Sequence, residues 1–465
     1  MKLRTTATIV TSLMLGLALN GDVFAQSNQT GAAASDASAL QERHEGMGRS
    51  LEDFFTAALA YSPQLQAAQG RWDIGGARRQ AANGQLLPQI NANASISDNR
   101  QDSVGGITEY RGERLSLQLR QVLFDWQVFS ARDEAYLTEN QFEAEYYAEL
   151  SNVLTTVAER YLDVLQAQDA LDSSETELDV VQEQLDQITR MHGLQMAQIT
   201  DLYEAQARMA EVQAERQYLS SEVILTREAL RSVSGLAVGE LFTLGDNPDL
   251  PRVQGTLEEW VERASQQNHM INAREFAVEA AGSRISQARS RYMPRVNLIV
   301  QQQRSDLGFD NVPINRTDSG YVGVDVSVPL FAGGSNRAAV REATSMQSIA
   351  RNELRQLHLE VSEKTRLYYL RMQALERQIT AAEAVVQSRE IASTSKQRGF
   401  ELGTVTSVDV LDAVRNQFVA ARELQRYRYD YIRLGLYLRR DAGTLTADDL
   451  LDIGSRLQDP ASLNN

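Results

Sequence analysis

Two uninterrupted stretches constrain the fold of this chain more than any other feature of its sequence. Residues 125–192 run for 68 residues without glycine or proline, and residues 335–398 run for 64. Glycine and proline are the residues that most strongly end or kink a helix. Each stretch therefore predicts one α-helix, about 100 Å long at about 1.5 Å per residue. Apolar residues recur at three- and four-residue steps along the second stretch, which is typical of coiled-coil-like packing.

The two stretches belong to two similar halves of the chain. "GQLLPQINANASIS" resembles "SRYMPRVNLIVQQQ", and their prolines, Pro88 and Pro294, are 206 residues apart. "ITDLYEAQARMAE" resembles "SVDVLDAVRNQFV", and Asp201 and Asp409 are 208 apart. The phenylalanines of "QVLFDW" and "VPLFAGG" are 207 apart. Three landmarks in one order at nearly constant spacing indicate a duplicated unit of about 200 residues.

Each unit is expected to contain a helix, two strands, a long helix, a sharp turn and another helix. The predicted first repeat spans 49–247 and the second spans 248–451, with a C-terminal tail at 452–465. The glycines of the joint "LFAGG" are expected to adopt the backbone angles that let a strand change direction into a helix.

The N-terminus has the pattern of a secretory signal peptide. Lys2 and Arg4 precede an apolar run at 9–19 and a small-residue cleavage site after Ala25. The sequence thus predicts a signal peptide at 1–25, followed by a small, polar and flexible N-terminal tail at 26–48. No other apolar stretch approaches the roughly 20 residues of a membrane-spanning helix.

The predicted strands alternate between apolar and polar residues. In "RLSLQLRQVLF" three leucines alternate with polar residues, and in "GYVGVDVSVPLF" four valines do. Period-two alternation is typical of a strand with one face against something apolar, either a soluble core or lipid. A length of about ten residues matches a tilted membrane strand. The intervening segments, 98–112 and 304–320, are polar and glycine-rich, as extracellular loops would be.

Aromatic residues at the strand ends favour the membrane interpretation. They are Phe124, Trp126, Tyr321 and Phe331, and aromatic girdles mark the interfaces of membrane barrels. Because an open sheet edge is not tolerated in lipid and the smallest membrane barrels have about eight strands, four strands cannot suffice. The chain must therefore oligomerise, with eight strands from two copies or twelve from three.

Composition excludes several classes of function. Acidic residues outnumber basic ones by 62 to 46, for a net charge of −16, which argues against nucleic-acid binding. The chain has no cysteine, and its four histidines are scattered. No catalytic, phosphate-binding or calcium-binding motif is present, so we expect no enzyme activity, metal site or cofactor.

The repeated layout, "LLPQI", "MPRVNL", "VPLFAGG" and "LGTVTSVDVLDA" resemble the TolC-like outer-membrane channel proteins over roughly 50–451. The resemblance implies a homotrimer in the outer membrane of a Gram-negative bacterium. It implies a twelve-stranded β-barrel, four strands per chain, continuous with a long periplasmic α-helical barrel. It also implies docking to a periplasmic adaptor and to an inner-membrane transporter of the ABC, RND or MFS type, for drug efflux, type I protein secretion or both.

The resemblance also implies a pore entrance at the helix–helix turns. Asp409 and Asp412 match acidic positions that line the constricted periplasmic tip, and Asp201 matches one on the first turn. Helix capping is an alternative role for Asp201 and Asp409, since acidic residues are favoured in a first helical turn.

The tip turns depart from the family pattern at several positions. Family members can carry Tyr and Arg where this chain has Phe400 and Val405, and the first turn has Gln195 where the second has Gly403, which precedes Thr404. Phe400 and Val405 cannot hydrogen-bond Asp201 through their side chains, so a lock made of such polar pairs is not expected.

A periplasmic helical-hairpin adaptor without a barrel is the alternative function. An adaptor would show one helical hairpin rather than two, and would not need four membrane-length strands.

Overall fold

The computed structural model describes residues 47–103, 106–245, 248, 250, 253–307 and 313–458. The predicted signal peptide and all but the last two residues of the predicted N-terminal tail lie outside the described residues. Gly48 already belongs to the fold, because its amide donates to the carbonyl of Ala237 and its carbonyl accepts from Gly239.

Both halves contain the same elements in the same order, which confirms the predicted duplication. The first half contains α1 (Leu51–Tyr61), α2 (Pro63–Gly84), β1 (Gln89–Ser103), β2 (Gly106–Phe124), α3 (Trp126–Gly193) and α4 (Ile199–Ser234). The second half contains α5 (Leu257–Gln267), α6 (His269–Ser290), β3 (Arg295–Leu307), β4 (Pro313–Ser327), α7 (Ser335–Glu401) and α8 (Ser407–Asp441). A short helix, α9 (Ala447–Ser455), follows.

The two long helices form as the absence of glycine and proline predicts. Helix α3 has 68 residues and α7 has 67. The side chain of Asp125 caps α3 by accepting a hydrogen bond from the amide of Gln127. Before α7 the chain turns through Gly333 and Gly334, whose φ angles are 60° and 86°. Both glycines therefore lie in the left-handed region, as predicted for the joint.

The four strands form one antiparallel sheet in the order β1-β2-β3-β4. The strands contain 13 to 19 residues, so the expectation of about ten is wrong. Most of the predicted loops 98–112 and 304–320 instead continue the strands. Oppositely charged residues pair across these extensions, which stabilises them: Arg304 contacts Asp318 at 2.7 Å and Arg316 contacts Glu113 at 3.2 Å.

The strand register gives the sheet one apolar face and one polar face, as the alternation predicts. Leu119 pairs with Ile90 and Val300, and Val300 pairs with Val322. The apolar face includes Ile90, Ala92, Ala94, Leu115, Leu117, Leu119, Val296, Leu298, Val300, Val322, Val324 and Val326, and one polar residue, Gln121, lies among them opposite Leu298. The opposite face includes Asn91, Asn93, Ser116, Gln118, Asn297, Gln301 and Asp325. Four strands thus present one continuous apolar band.

The largest buried cluster holds the two halves together beyond the sheet. It is built from α1, α3, α4, α8 and α9 and centres on Tyr161, whose ring packs edge-on against Phe54. The Tyr161 hydroxyl lies 3.0 and 3.1 Å from the carbonyl oxygens of Arg49 and Phe242, which share its single proton. The first residues of the predicted C-terminal tail also pack on this cluster, and Gln458 pairs with Thr243. The packed part of the chain therefore extends beyond residue 451.

A row of polar contacts joins α3 of the first half to α8 of the second. We call it the α3–α8 ladder; its pairs are Asp163–Arg433 at 2.8 Å, Asp169–Tyr429 at 2.6 Å and Glu177–Arg422 at 2.8 Å. The Glu177 side chain is only 3% exposed and also contacts Arg208 of α4. One buried carboxylate therefore joins three helices.

We predict that Glu177→Gln destabilises the protein by about 3–5 kcal/mol, because two arginines lose the charge that compensates them in a buried site. The measurement is the helical circular dichroism of the detergent-solubilised protein during thermal and denaturant unfolding. Glu175→Gln is the matched control, since Glu175 and Arg216 are each 46% exposed and such surface pairs contribute less than about 1 kcal/mol. Equal losses in the two variants would contradict the prediction.

Candidate functional site

The two turns at the far end of the long helices have the same backbone geometry. At the first turn Gln195 has a φ of 58°, and the amide of Met196 donates to the carbonyl of Met191 at 2.8 Å. At the second turn Gly403 has a φ of 75°, and the amide of Thr404 donates to the carbonyl of Gly399 at 2.9 Å. Both turns are helix ends closed by a left-handed residue. Gln195 is the only non-glycine residue with a positive φ in the described part of the chain.

The tip is packed by apolar side chains from both helical hairpins. Phe400 lies in a buried cluster that includes Val181 and Ile188 of α3, Ala205 and Val212 of α4, and Val410, Leu411 and Val414 of α8. Val405 packs against this cluster and lies over Gly399, where a Cβ would come within 2.6 Å of it. The Thr404 hydroxyl donates to the carbonyl of Gly399. Phe400 and Val405, the two residues that depart from the family pattern, therefore stabilise the second turn by apolar packing on its buried side.

Asp409 is an exposed residue that also supports its own helix. Its carboxylate accepts a hydrogen bond from the Thr406 hydroxyl at 2.6 Å, and its amide donates to that hydroxyl's oxygen. The Lys396 ammonium lies 3.6 Å from the same carboxylate. The Thr406 hydrogen bond, helped by Lys396, holds the pKa of Asp409 below its usual value. Asp409 is thus ionised at neutral pH in the single chain.

Asp412 lies one turn further along the same face of α8. Residues three apart on a helix share a face, and both carboxylates are exposed while Val410 and Leu411 between them are buried. The Asp412 carboxylate makes no hydrogen bond or ion pair with the side chain or backbone of any other described residue. The structure therefore brings Asp409 and Asp412 together, and capping explains only Asp409.

Asp201 occupies the position in α4 that Asp409 occupies in α8, but it is half-buried and acts as a cap. Its carboxylate accepts from the amide of Gln198 in a capping box. The repeat places Glu204 at the position of Asp412, and Glu204 is exposed. Sequence reasoning missed Glu204, although the 208-residue offset alone would have found it.

The strand–helix joints carry the predicted aromatic residues. A bulge between Val122 and Phe124 pairs Phe124 with Val296, which moves Phe124 onto the apolar face. Trp126 is held by its indole N–H, which donates to the hydroxyl of Ser286 at 2.9 Å. Phe129, which the sequence reading did not include, packs edge-on against both Phe124 and Trp126.

The other two aromatic residues have different surroundings. Phe331 is 90% exposed beside the glycine joint. Tyr321 instead lies on the polar face, opposite Gln301, with its hydroxyl over Gly323. Its position does not fit an aromatic belt on the apolar face, because the register places it one residue out of phase with Val322.

No group of three or more histidine or acidic side chains is arranged to hold a metal ion in the described ranges. Among the described helices, none has a stretch long and apolar enough to cross a membrane.

Comparison with known proteins identifies the kind of molecule. The family model described as outer membrane efflux protein matches residues 55–236 and 260–444, one match in each repeat. The chain belongs to the outer membrane efflux protein family. This is a family of channels rather than of enzymes, and it places the chain in the Gram-negative outer membrane.

Two relatives and one solved structure resemble this outer membrane efflux protein over most of their length. It is 29% identical to outer membrane protein TolC of Vibrio cholerae, over 88% of this chain and 94% of the relative. It is 27% identical to the alkaline protease secretion protein AprF of Pseudomonas aeruginosa, over 88% of this chain and 87% of the relative. The crystal structure of the Vibrio cholerae outer membrane protein VceC shares the fold, with a TM-score of 0.74 and 20% identity over 84% of this chain and 96% of that one.

Exchanging glutamine and glycine at the left-handed position should have opposite effects on stability at the two turns. Gln195→Gly should stabilise the protein, because a side chain in the left-handed region costs about 1–2 kcal/mol, whereas Gly403→Gln should destabilise it by a similar amount. Thermal unfolding of the two variants and the parent protein checks both signs. A destabilised Gln195→Gly would mean that the glutamine side chain makes contacts that outweigh its backbone strain.

Proposed function

We propose that three copies of this outer-membrane efflux or secretion channel form a passive conduit, with twelve strands in the membrane and a helical tube in the periplasm. The observation that carries the proposal is the open four-stranded sheet with one continuous apolar face. In lipid the outer edges of β1 and β4 must be hydrogen-bonded, and other copies of the same sheet are the partners that leave no edge.

Barrel size favours three copies over two. Eight strands enclose a space that side chains fill, whereas larger barrels leave an aqueous channel. Twelve strands with Asn91, Gln118 and Asp325 on the inner face would line such a channel with polar groups.

The long helices provide the periplasmic part of the conduit. Helices of 68 and 67 residues extend about 100 Å from the joints at Phe124 and Phe331. A periplasmic adaptor and an inner-membrane transporter would then supply substrate and energy at the tip. The conduit needs no catalytic residue, and no feature of the described residues favours the adaptor alternative, whose strands would have no use for an apolar outer face.

Asp409 and Asp412 are the proposed pore entrance. In a trimer these two positions would form two rings, six carboxylates in all, close to the trimer axis. Rings of acidic side chains favour cations in a pore. Asp201 is better assigned to helix capping, because its carboxylate is engaged with the amide of Gln198.

The barrel wall predicts that Val324→Lys impairs assembly more than Asp325→Lys. A lysine on the lipid face near the bilayer midplane costs about 2–4 kcal/mol, whereas a lysine on the lumen face remains in water. The measurement is the fraction of heat-resistant trimer in purified outer membranes. The reverse order would mean that the polar face is the one in contact with lipid.

The entrance predicts that Asp409→Asn combined with Asp412→Asn reduces cation selectivity and relieves block by a trivalent cation added from the periplasmic side. Planar-bilayer recordings of the intact trimer measure both effects. Asp201→Asn is the matched control and should leave conductance properties unchanged, because its charge serves the helix. Unchanged selectivity and block in the double variant would place the entrance elsewhere.

A further inference from the structure

We propose that the lumen of the barrel attracts anions, so that a basic exit follows the acidic entrance and favours cargo with carboxylate or phosphate groups. This basic lumen rests on the proposed function, because the polar face of the sheet must line a channel. It adds the sign of the charge inside the barrel and the class of chemical group that this charge binds.

Three arginines lie on the polar face of the sheet. They are Arg114 and Arg120 of β2 and Arg295 of β3. Arg114 and Arg120 are each an even number of residues from Gln118, and Arg295 is two residues before Asn297. Because successive side chains of a strand alternate between the two faces, all three arginines share the side of the sheet to which Gln118 and Asn297 belong.

One carboxylate opposes these arginines. Among the described residues of the four strands, Asp325 is the only acidic residue on the polar face, where it lies opposite Asn297 on the strand next to Arg295. Three arginines and one aspartate give this face a net charge of +2 per chain, whereas the whole chain carries −16. The polar face is thus basic in a chain that is strongly acidic.

Charged residues on the apolar side of the sheet are compensated to a greater extent. Beyond the apolar band Arg304 contacts Asp318 at 2.7 Å, and two further pairs of opposite charge contact each other on the same side. Arg120 and Arg295 are exposed, and neither makes a hydrogen bond or ion pair with another described residue. Their positive charge is therefore available to mobile ions and to cargo.

The rest of the polar face consists mainly of neutral groups. On β1 it shows only amides and hydroxyls up to the last residues of the strand: Gln89, Asn91, Asn93, Ser95, Ser97, Asn99 and Gln101. Amides and hydroxyls both donate and accept hydrogen bonds, so they can bind ions of either sign. The arginines consequently determine which sign the barrel prefers.

Two of the arginines lie at the end of the sheet that joins the helices. Arg295 is the first residue of β3, and Arg120 is four residues before the end of β2 at Phe124. Three copies of the chain would place six guanidinium groups in one band where the barrel begins. Guanidinium groups bind carboxylates and phosphates through two parallel hydrogen bonds, so this band favours cargo that carries those groups.

A twelve-stranded barrel is narrow enough for these charges to act across its whole width. With strands about 4.8 Å apart and tilted by about 40°, its radius is roughly 12 Å. Side chains that project inward bring their charges closer to the axis, and the Debye length is about 10 Å at 0.1 M salt. An ion that crosses the barrel therefore remains within the field of several guanidinium groups.

The first test measures ion selectivity of the full-length channel in planar bilayers. Arg120→Gln combined with Arg295→Gln should shift the reversal potential in a KCl gradient towards stronger cation selectivity, because the barrel loses most of its positive charge. The matched control is Arg100→Gln combined with Arg111→Gln, which removes two exposed arginines from the apolar side of the sheet. Equal reversal potentials in the parent channel and the Arg120/Arg295 variant would overturn the basic lumen.

The second test uses inorganic triphosphate as a multivalent anion, added from the extracellular side. It should block the current through the parent channel and through the control variant, and the block should weaken as salt rises. Arg120→Gln with Arg295→Gln should abolish the block, whereas Arg120→Lys with Arg295→Lys should retain it, because lysine keeps the charge. A block that is the same in the parent and in the glutamine variant would overturn the proposed anion site.

The heat-resistant trimer and its conductance are measured on the same samples, and they separate the two levels of proposal. A conducting trimer whose selectivity and block do not respond to the arginines would overturn the basic lumen and leave the proposed function intact. A parent chain that forms neither a trimer nor a channel would overturn the proposed function itself.

Discussion

The two unpaired edges of the four-stranded sheet are the constraint on which the rest of the structure depends. A strand edge carries amides and carbonyls that water can satisfy but lipid cannot. The apolar face places these edges where lipid would surround them, so a single copy is incomplete as a membrane protein. Duplication reduces the number of unpaired strand edges, because β2 pairs with β3 inside the chain. Only the outer edges of β1 and β4 remain without a partner strand. An unduplicated unit with one hairpin would leave twice as many edges for the same number of strands.

The long helices also depend on packing partners, outside the sheet. In a protein, a long helix is stabilised chiefly by packing against its neighbours. Helix α3 has such neighbours on both sides within the chain. The connection between halves is polar as well as apolar, because the α3–α8 ladder places three hydrogen-bonded pairs along it. Such pairs require one alignment of the two helices, whereas an apolar contact tolerates sliding. The ladder therefore fixes the relative height of the two hairpins.

The sequence predicted which helices and strands form better than it predicted strand lengths and the surroundings of single side chains, for physical reasons. Long helices follow from the absence of glycine and proline, and the two faces of the sheet follow from alternation. Strand length was underestimated because charged residues such as Arg304 and Asp318 look like loop residues until their pairing partner is known. Tyr321 was misplaced because its face depends on the register, and Phe124 reaches the apolar face only through a bulge. The buried role of Glu177 was not predictable, since an isolated glutamate on a long helix usually faces solvent.

The position of the α3–α8 ladder limits where the shape of one chain can change. Its last pair, Glu177–Arg422, lies 16 residues before the end of α3 at Gly193, or about 24 Å from the tip at about 1.5 Å per residue. Beyond that pair the hairpins are held mainly by apolar side chains around Phe400. We therefore expect the segment between Glu177 and the turns to change shape more easily than the rest of the subunit, because apolar side chains tolerate sliding and the hydrogen-bonded pairs of the ladder do not. A force applied at the turns would move these helix ends before it moved the body of the subunit.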